Sequence, residues 1–155
     1  MKNNMCSTVA STLDELELPY EKDGKVFRLL IESEQADFPV YIIADKKTEL
    51  LSIIGFFPVR IPLEDRDRMY RFINELNFKT MVGAFVINPD DGALVFCQTN
   101  NVDGGIVNKE LVKASLCQVV HRLRNNYGDI MKAIFGVEQF VFSFADSEDK
   151  LEGRA

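Results

Sequence analysis

Three consecutive runs of apolar and β-branched residues constrain the fold of this chain more than any other feature of its sequence. They read KVFRLLIE, FPVYIIAD and ELLSIIGFF, and only short polar segments separate them. Valine, isoleucine and aromatic residues favour strands, and short connections join neighbouring strands that run in opposite directions. Residues 25–57 are therefore predicted to form an antiparallel three-stranded meander.

Helical patterns lie on both sides of this meander. Near the start, apolar residues recur at helical spacing and the pattern ends just before Pro19, because the residue preceding a proline avoids the α region. This predicts a first helix over about residues 5–17. A second pattern follows Pro62 and predicts a helix over about 63–76, and a third predicts a long helix over about 109–135.

Two further strands, VGAFVIN and ALVFCQT, flank the residues Pro89-Asp90-Asp91-Gly92. Proline presets φ, glycine tolerates positive φ, and aspartate side chains accept hydrogen bonds from nearby backbone amides. A calcium loop would need further oxygen ligands at alternating positions, and a phosphate cradle would need several glycines that open a helix. The segment has neither pattern, so we interpret it as a hairpin turn.

The complete element order is αβββαββα, which predicts an α+β fold whose helices pack on a five-stranded antiparallel sheet. A length of 155 residues with 46% hydrophobic content is typical of one globular domain. We assign this domain to residues 1–145 and an acidic tail to residues 146–155.

Charge and cysteine content argue against several classes of protein. The net charge of −6 disfavours binding to nucleic acid and to anionic membrane surfaces. The chain shows neither the apolar core of a signal peptide nor a membrane-spanning run, so a cytoplasmic location is expected. Three widely spaced cysteines without a C-x-x-C pair predict neither a disulfide framework nor a metal site, and no motif suggests a cofactor.

Cys117 and His121 are the strongest candidates for catalysis, because a spacing of four residues places both on one side of a helix. His121 lies opposite the apolar stripe of the third helix, so it is expected to face solvent. The sequence offers no second histidine for a zinc set and no orienting or oxyanion-hole motif. We therefore favour an exposed histidine and an inert thiol, with an enzyme that uses this pair as the alternative.

The predicted hairpin has two unequal faces. One set of side chains is bulky enough to meet the helices, and it comprises Phe85, Ile87, Leu94 and Phe96. The other set is small and almost wholly apolar, and it comprises Ala84, Val86, Ala93, Val95 and Cys97. A solvated sheet face normally alternates to polar residues, so the second set needs a cover. A twofold partner, a client segment or the segment VEQFVFSF at residues 137–144 would each provide one.

Several stretches together resemble the YbjN family, whose domain is similar to type III secretion chaperones. They are STLDELELPYEKDGKVFRLLIES, the helix end INELNF and the hairpin VGAFVINPDDGALVF, followed by one long helix. The resemblance extends over about residues 5–136 and includes Asn74-Glu75-Leu76-Asn77. It implies a bacterial protein with helices on a five-stranded antiparallel sheet, often dimeric, and it implies no catalytic residues.

The predicted function is that of a non-catalytic protein-binding module. Within the family this corresponds to a chaperone-like or regulatory protein, expected as a homodimer with a protein or peptide client. The five small apolar residues of the hairpin are the predicted contact surface.

Overall fold

The computed structural model describes residues 4–136 and contains three helices and six strands. The helices are α1 (Met5–Glu15), α2 (Arg66–Phe78) and α3 (Lys109–Phe135). The strands are β1 (Glu21–Asp23), β2 (Val26–Ile31), β3 (Phe38–Asp45), β4 (Leu50–Phe56), β5 (Ala84–Ile87) and β6 (Leu94–Asn101). The segment 137–144 and the acidic tail 146–155 lie outside the described residues.

All six strands form one antiparallel sheet in the order β1-β2-β3-β4-β6-β5. Strands β2, β3 and β4 are the predicted meander, and their register is continuous from Val26 opposite Ile43 to Val40 opposite Gly55. Strand β6 then pairs with β4, so the hairpin partner β5 lies at the edge of the sheet. The predicted α+β architecture is confirmed.

The sheet has six strands rather than the predicted five. The additional strand, β1, precedes the predicted meander, and Glu21 lies opposite Arg28 of β2. All three residues of β1 are exposed, so the strand carries no apolar alternation by which its sequence could indicate it. Backbone pairing with β2 forms this strand.

Two helix ends differ from their predicted positions. Helix α1 ends at Glu15, two residues early, because Glu17 adopts a positive φ of 56° and turns the chain toward Pro19. Helix α2 follows a 3-10 turn at Leu63–Asp65 and continues to Phe78. Phe78 is 91% exposed, so it adds nothing to the buried pattern from which the helix end was inferred.

Helices α1 and α3 pack on one face of the sheet. The apolar stripe predicted for α3 is buried along its length, from Val112 to Ile134. Its Tyr127 is half-buried, with ring centroids of Phe38 at 6.2 Å and Phe57 at 5.4 Å. Helix α3 crosses β4 at Gly55, the one position of that strand without a side chain. No helix within residues 4–136 has the length and apolarity needed to cross a membrane.

Candidate protein-binding surfaces

The face of the sheet turned away from α1 and α3, hereafter the open face, is the first candidate binding surface. Alternate residues of every strand from β2 to β6 project from it, and most of these side chains are partly or fully exposed. Its apolar members are Val26, Leu30, Pro39, Tyr41, Ile43, Leu50, Ile54, Phe56, Ala84, Val86, Val95 and Cys97. The open face is therefore far richer in apolar side chains than a solvated sheet face usually is.

The structure brings the predicted contact residues of the hairpin together on this face. Val86 lies opposite Val95 and Ala84 lies opposite Cys97 in the register of β5 and β6. Val86 is 47% exposed, whereas the other four members of the predicted set, Ala93 included, are partly buried. The bulky set is buried against the helices as predicted, and it comprises Phe85, Ile87, Leu94 and Phe96.

The apolar part of the open face extends well beyond the hairpin. In the register of β4 and β6, Phe56 lies opposite Val95 and Ile54 lies opposite Cys97. Tyr41 of β3 continues this row opposite Ile54, and its ring centroid lies 4.8 Å from that of Phe56. These meander residues were not among the predicted contacts. Their period-two alternation was visible in the sequence, but the pairing of β4 with β6, which continues their row across the sheet, was not.

Two ion pairs lie on and beside the open face. The Lys25 Nζ atom lies 2.8 Å from Asp45 Oδ2, and Arg28 Nη2 lies 3.7 Å from Asp23 Oδ2. The hydrogen bond from Lys25 is the main reason that the pKa of Asp45 lies below its ordinary value. Burial raises the pKa of the Cys97 thiol, which keeps it neutral. The open face thus presents a largely apolar surface on which Arg28 and Asp45 are paired within the chain.

The outer edge of β5 is closed to strand pairing at its centre. The Asn77 side chain donates from Nδ2 to the Phe85 carbonyl at 2.9 Å and accepts from the Phe85 amide through Oδ1 at 2.7 Å. A side-chain amide thereby takes the place that a neighbouring strand would occupy. The opposite edge, β1, is only three residues long. A partner would therefore engage the face of the sheet more readily than its edges.

Replacing Asn77 by alanine is expected to lower the free energy of unfolding by about 1–3 kcal/mol, because two partly buried backbone groups of Phe85 lose their partners. Asn74→Ala is the matched control, since Asn74 is exposed on the same helix and should change stability by less than about 0.5 kcal/mol. Urea unfolding followed by circular dichroism measures both changes. Equal values for the two variants would contradict the assigned role of Asn77.

The segment around Asp90 and Asp91 forms the predicted hairpin turn. Gly92 has a φ of 75°, and the Ala93 amide donates to Asp91 Oδ1 at 2.9 Å. Arg66 of α2 holds the turn from outside by donating from Nη1 to the Pro89 carbonyl at 2.7 Å. The turn therefore positions the hairpin against α2.

Cys117 and His121 both lie exposed on α3, as predicted for the histidine. Within the described residues no hydrogen bond joins them, and His121 Nε2 instead lies 2.8 Å from the Asn125 side-chain nitrogen. Residues 4–136 contain no group of three or more His, Cys, Asp or Glu side chains placed to hold a metal ion. Both residues line a groove between α3 and the end of α1.

Comparison with known proteins agrees with this architecture. The sequence profile of the YbjN family, described as "Putative bacterial sensory transduction regulator", matches residues 6–130. A search among curated proteins found no match. Among solved structures, the HopA1–SchA chaperone–effector complex contains a similar chain with a TM-score of 0.56 and 16% identity, covering 77% of this chain and 89% of that one. YbjN from E. coli, described as a putative transcription regulator, has a TM-score of 0.52 and 14% identity. The similarity covers 78% of this chain and 92% of that one.

Proposed function

Because the chain belongs to the YbjN family, we propose that it is a non-catalytic protein-binding module of the chaperone-like or regulatory kind, acting in the cytoplasm, whose open face packs against a second copy of itself. The apolar surface that runs across β3, β4, β6 and β5 carries this proposal. An exposed apolar surface of this extent is typical of interaction sites. The five predicted contact residues form its outer end.

The charge of the open face is compatible with a second copy as the occupant. The chain carries a net charge of −6, so two copies repel each other through most of their surface. On and beside the open face Lys25 is paired with Asp45 and Arg28 with Asp23, which reduces this repulsion where the apolar residues lie. A twofold pair covers the same surface on both copies, and closed twofold dimers are the commonest assemblies of identical chains.

The absence of catalysis is supported by the described geometry around Cys117 and His121, where the histidine nitrogen is directed to Asn125 rather than to the thiol. Protein binding on this fold is supported by the similar chain, which comes from a chaperone–effector complex. We extend this mode of action to the present chain, which would bind a protein partner without catalysing a reaction.

The substitution Val95→Lys tests the proposal. Val95 lies between Phe56 and Val86 in the register of the sheet, so a lysine there would be desolvated in the dimer and hydrated in the monomer. We expect self-association to weaken about 100-fold or more, since a buried unpaired charge costs about 3–5 kcal/mol. The thermal midpoint of the dissociated chain should change little.

Light scattering and thermal unfolding on the same samples measure both quantities. Thr99→Lys is the matched control, because Thr99 is exposed on the same face and strand but lies at its polar end, where its hydroxyl contacts Ser52. A wild-type particle of 17.6 kDa at micromolar concentration would contradict self-association. A lower midpoint for Val95→Lys at unchanged mass would instead show that the chain itself covers the open face.

A further inference from the structure

A second surface lies in the helical layer, in a groove between the end of α1 and the middle of α3. This helix groove has a volume of about 490 Å³. Its floor and one wall are apolar and include Leu18, Ile31 and Leu116, whereas α3 contributes His121, Arg124 and Asn125 along the other wall. None of the residues that line the groove is acidic, although acidic residues outnumber basic ones in the chain as a whole.

The side of α3 that forms this wall begins with two lysines that already bind a carboxylate. Lys109, Lys113, Cys117 and His121 follow one another at intervals of four residues along one side of α3. The Glu15 carboxylate of α1 lies 3.1 Å from Lys113 Nζ and 3.9 Å from Lys109 Nζ. The hydrogen bond from Lys113, followed by the charge of Lys109, lowers the pKa of Glu15. This side of α3 therefore already binds an acidic side chain from the neighbouring helix α1.

The ion pairs between α1 and α3 are confined to the end of α1. Helix α1 ends at Glu15, and the positive φ of Glu17 turns the chain away toward Pro19. Arg124 donates from Nη2 to the Glu32 carbonyl at 3.2 Å and forms no ion pair with any residue between 4 and 136. Glu17, Glu32 and Glu34 line two adjoining cavities with Arg124 but do not line the helix groove.

We infer that the helix groove binds an acidic, apolar segment of a partner protein, with apolar side chains over Leu18, Ile31 and Leu116 and a carboxylate on Arg124. The Arg124 guanidinium complements the carboxylate of such a segment, as Lys113 complements that of Glu15 about three helical turns earlier on α3. Leu16, Cys117 and His121 among its lining residues are exposed, so the groove is open to solvent and suits a polypeptide segment better than an enclosed small molecule. This site shares no residue with the contact surface of the hairpin.

Fluorescence anisotropy with labelled model peptides tests this inference on the full chain. The probe is a peptide of alternating leucine and glutamate, compared with versions in which glutamine or lysine replaces every glutamate. We expect the glutamate peptide to bind at least about 10-fold more tightly than the glutamine peptide, because a hydrogen bond between two charged groups is stronger than one to a neutral amide. Arg124→Glu should remove this preference and favour the lysine peptide.

Arg122→Glu is the matched control, because it makes the same charge change on α3 outside the groove and should leave binding unchanged. Cys117 locates the bound peptide, since this exposed thiol lines the groove and should be alkylated more slowly when the glutamate peptide is bound. Val95→Lys should bind the peptide normally, which separates this inference from the proposed role of the open face.

Equal binding of the glutamate and glutamine peptides would overturn the inference. Equal losses in Arg122→Glu and Arg124→Glu would also overturn it, because they would indicate a general charge effect. Displacement of the peptide by decanoate at micromolar concentration would assign the groove to a small carboxylate instead of a protein segment.

Discussion

Gly55→Val is expected to lower the free energy of unfolding by about 3 kcal/mol or more, because an added side chain would force α3 away from β4. A Cβ atom at Gly55 would lie 2.4 Å from Leu123 Cδ1 and 2.8 Å from Val119 Cγ1, well inside contact distance. Valine adds two further methyl groups at this point. Urea unfolding monitored by circular dichroism measures the loss.

Gly128→Ala is the control for this prediction. Gly128 lies within α3, and a Cβ atom built there would meet no heavy atom within 4 Å. Alanine should therefore raise stability by about 0.5–1 kcal/mol, since glycine is a poor helix former. If Gly55→Val were as stable as the native chain, the close crossing of α3 over β4 would be wrong.

Gly92→Ala is expected to cost about 3–5 kcal/mol through two separate effects. The φ of 75° disfavours any residue with a side chain, and a Cβ atom would lie 2.2 Å from the Ile61 carbonyl oxygen. The backbones of Ile61 and residue 92 cannot move apart freely, because the Ile61 amide donates a hydrogen bond to the carbonyl of residue 92 at 2.8 Å. Thermal and urea unfolding of the variant measure the combined cost.

Gly24→Ala separates the two effects. Gly24 has a similar φ of 60°, but a Cβ atom there meets nothing within 4 Å, so only the backbone cost of about 1–2 kcal/mol is expected. The difference between the variants gives the cost of the contact with Ile61. Losses of equal size would show that the hairpin turn does not rest on the Ile61 backbone.

Local periodicity explains why much of this fold could be predicted from the sequence. The alternation from Ala84 to Ile87 assigned each side chain to its face correctly, because successive residues of a strand point to opposite sides. The stripe on α3 was equally visible at helical spacing. The resemblance to the YbjN family was confirmed by a match over residues 6–130.

The features that were missed depend on contacts between distant parts of the chain. Asn77 closes the edge of β5 by binding backbone groups of Phe85. The helical pattern that precedes Asn77 does not indicate this contact. The helix groove joins Leu18 to Arg124, which are far apart in the sequence. The expected exposure of His121 was correct, but only the packing of α1 against α3 shows which surface it faces.

The pairing of β4 with β6 also has a consequence for folding kinetics. Strands β2, β3 and β4 follow one another closely, whereas the pairs from Leu50–Asn101 to Phe56–Val95 join residues about 40 to 50 positions apart. Pairing over such separations requires closure of a long loop and is slower than hairpin formation. Val95 and Cys97 therefore join Phe56 and Ile54 only late in folding. A nascent chain emerging from the ribosome cannot present the complete apolar surface until β6 has been synthesised, so the proposed association through it would be restricted to chains whose sheet is complete.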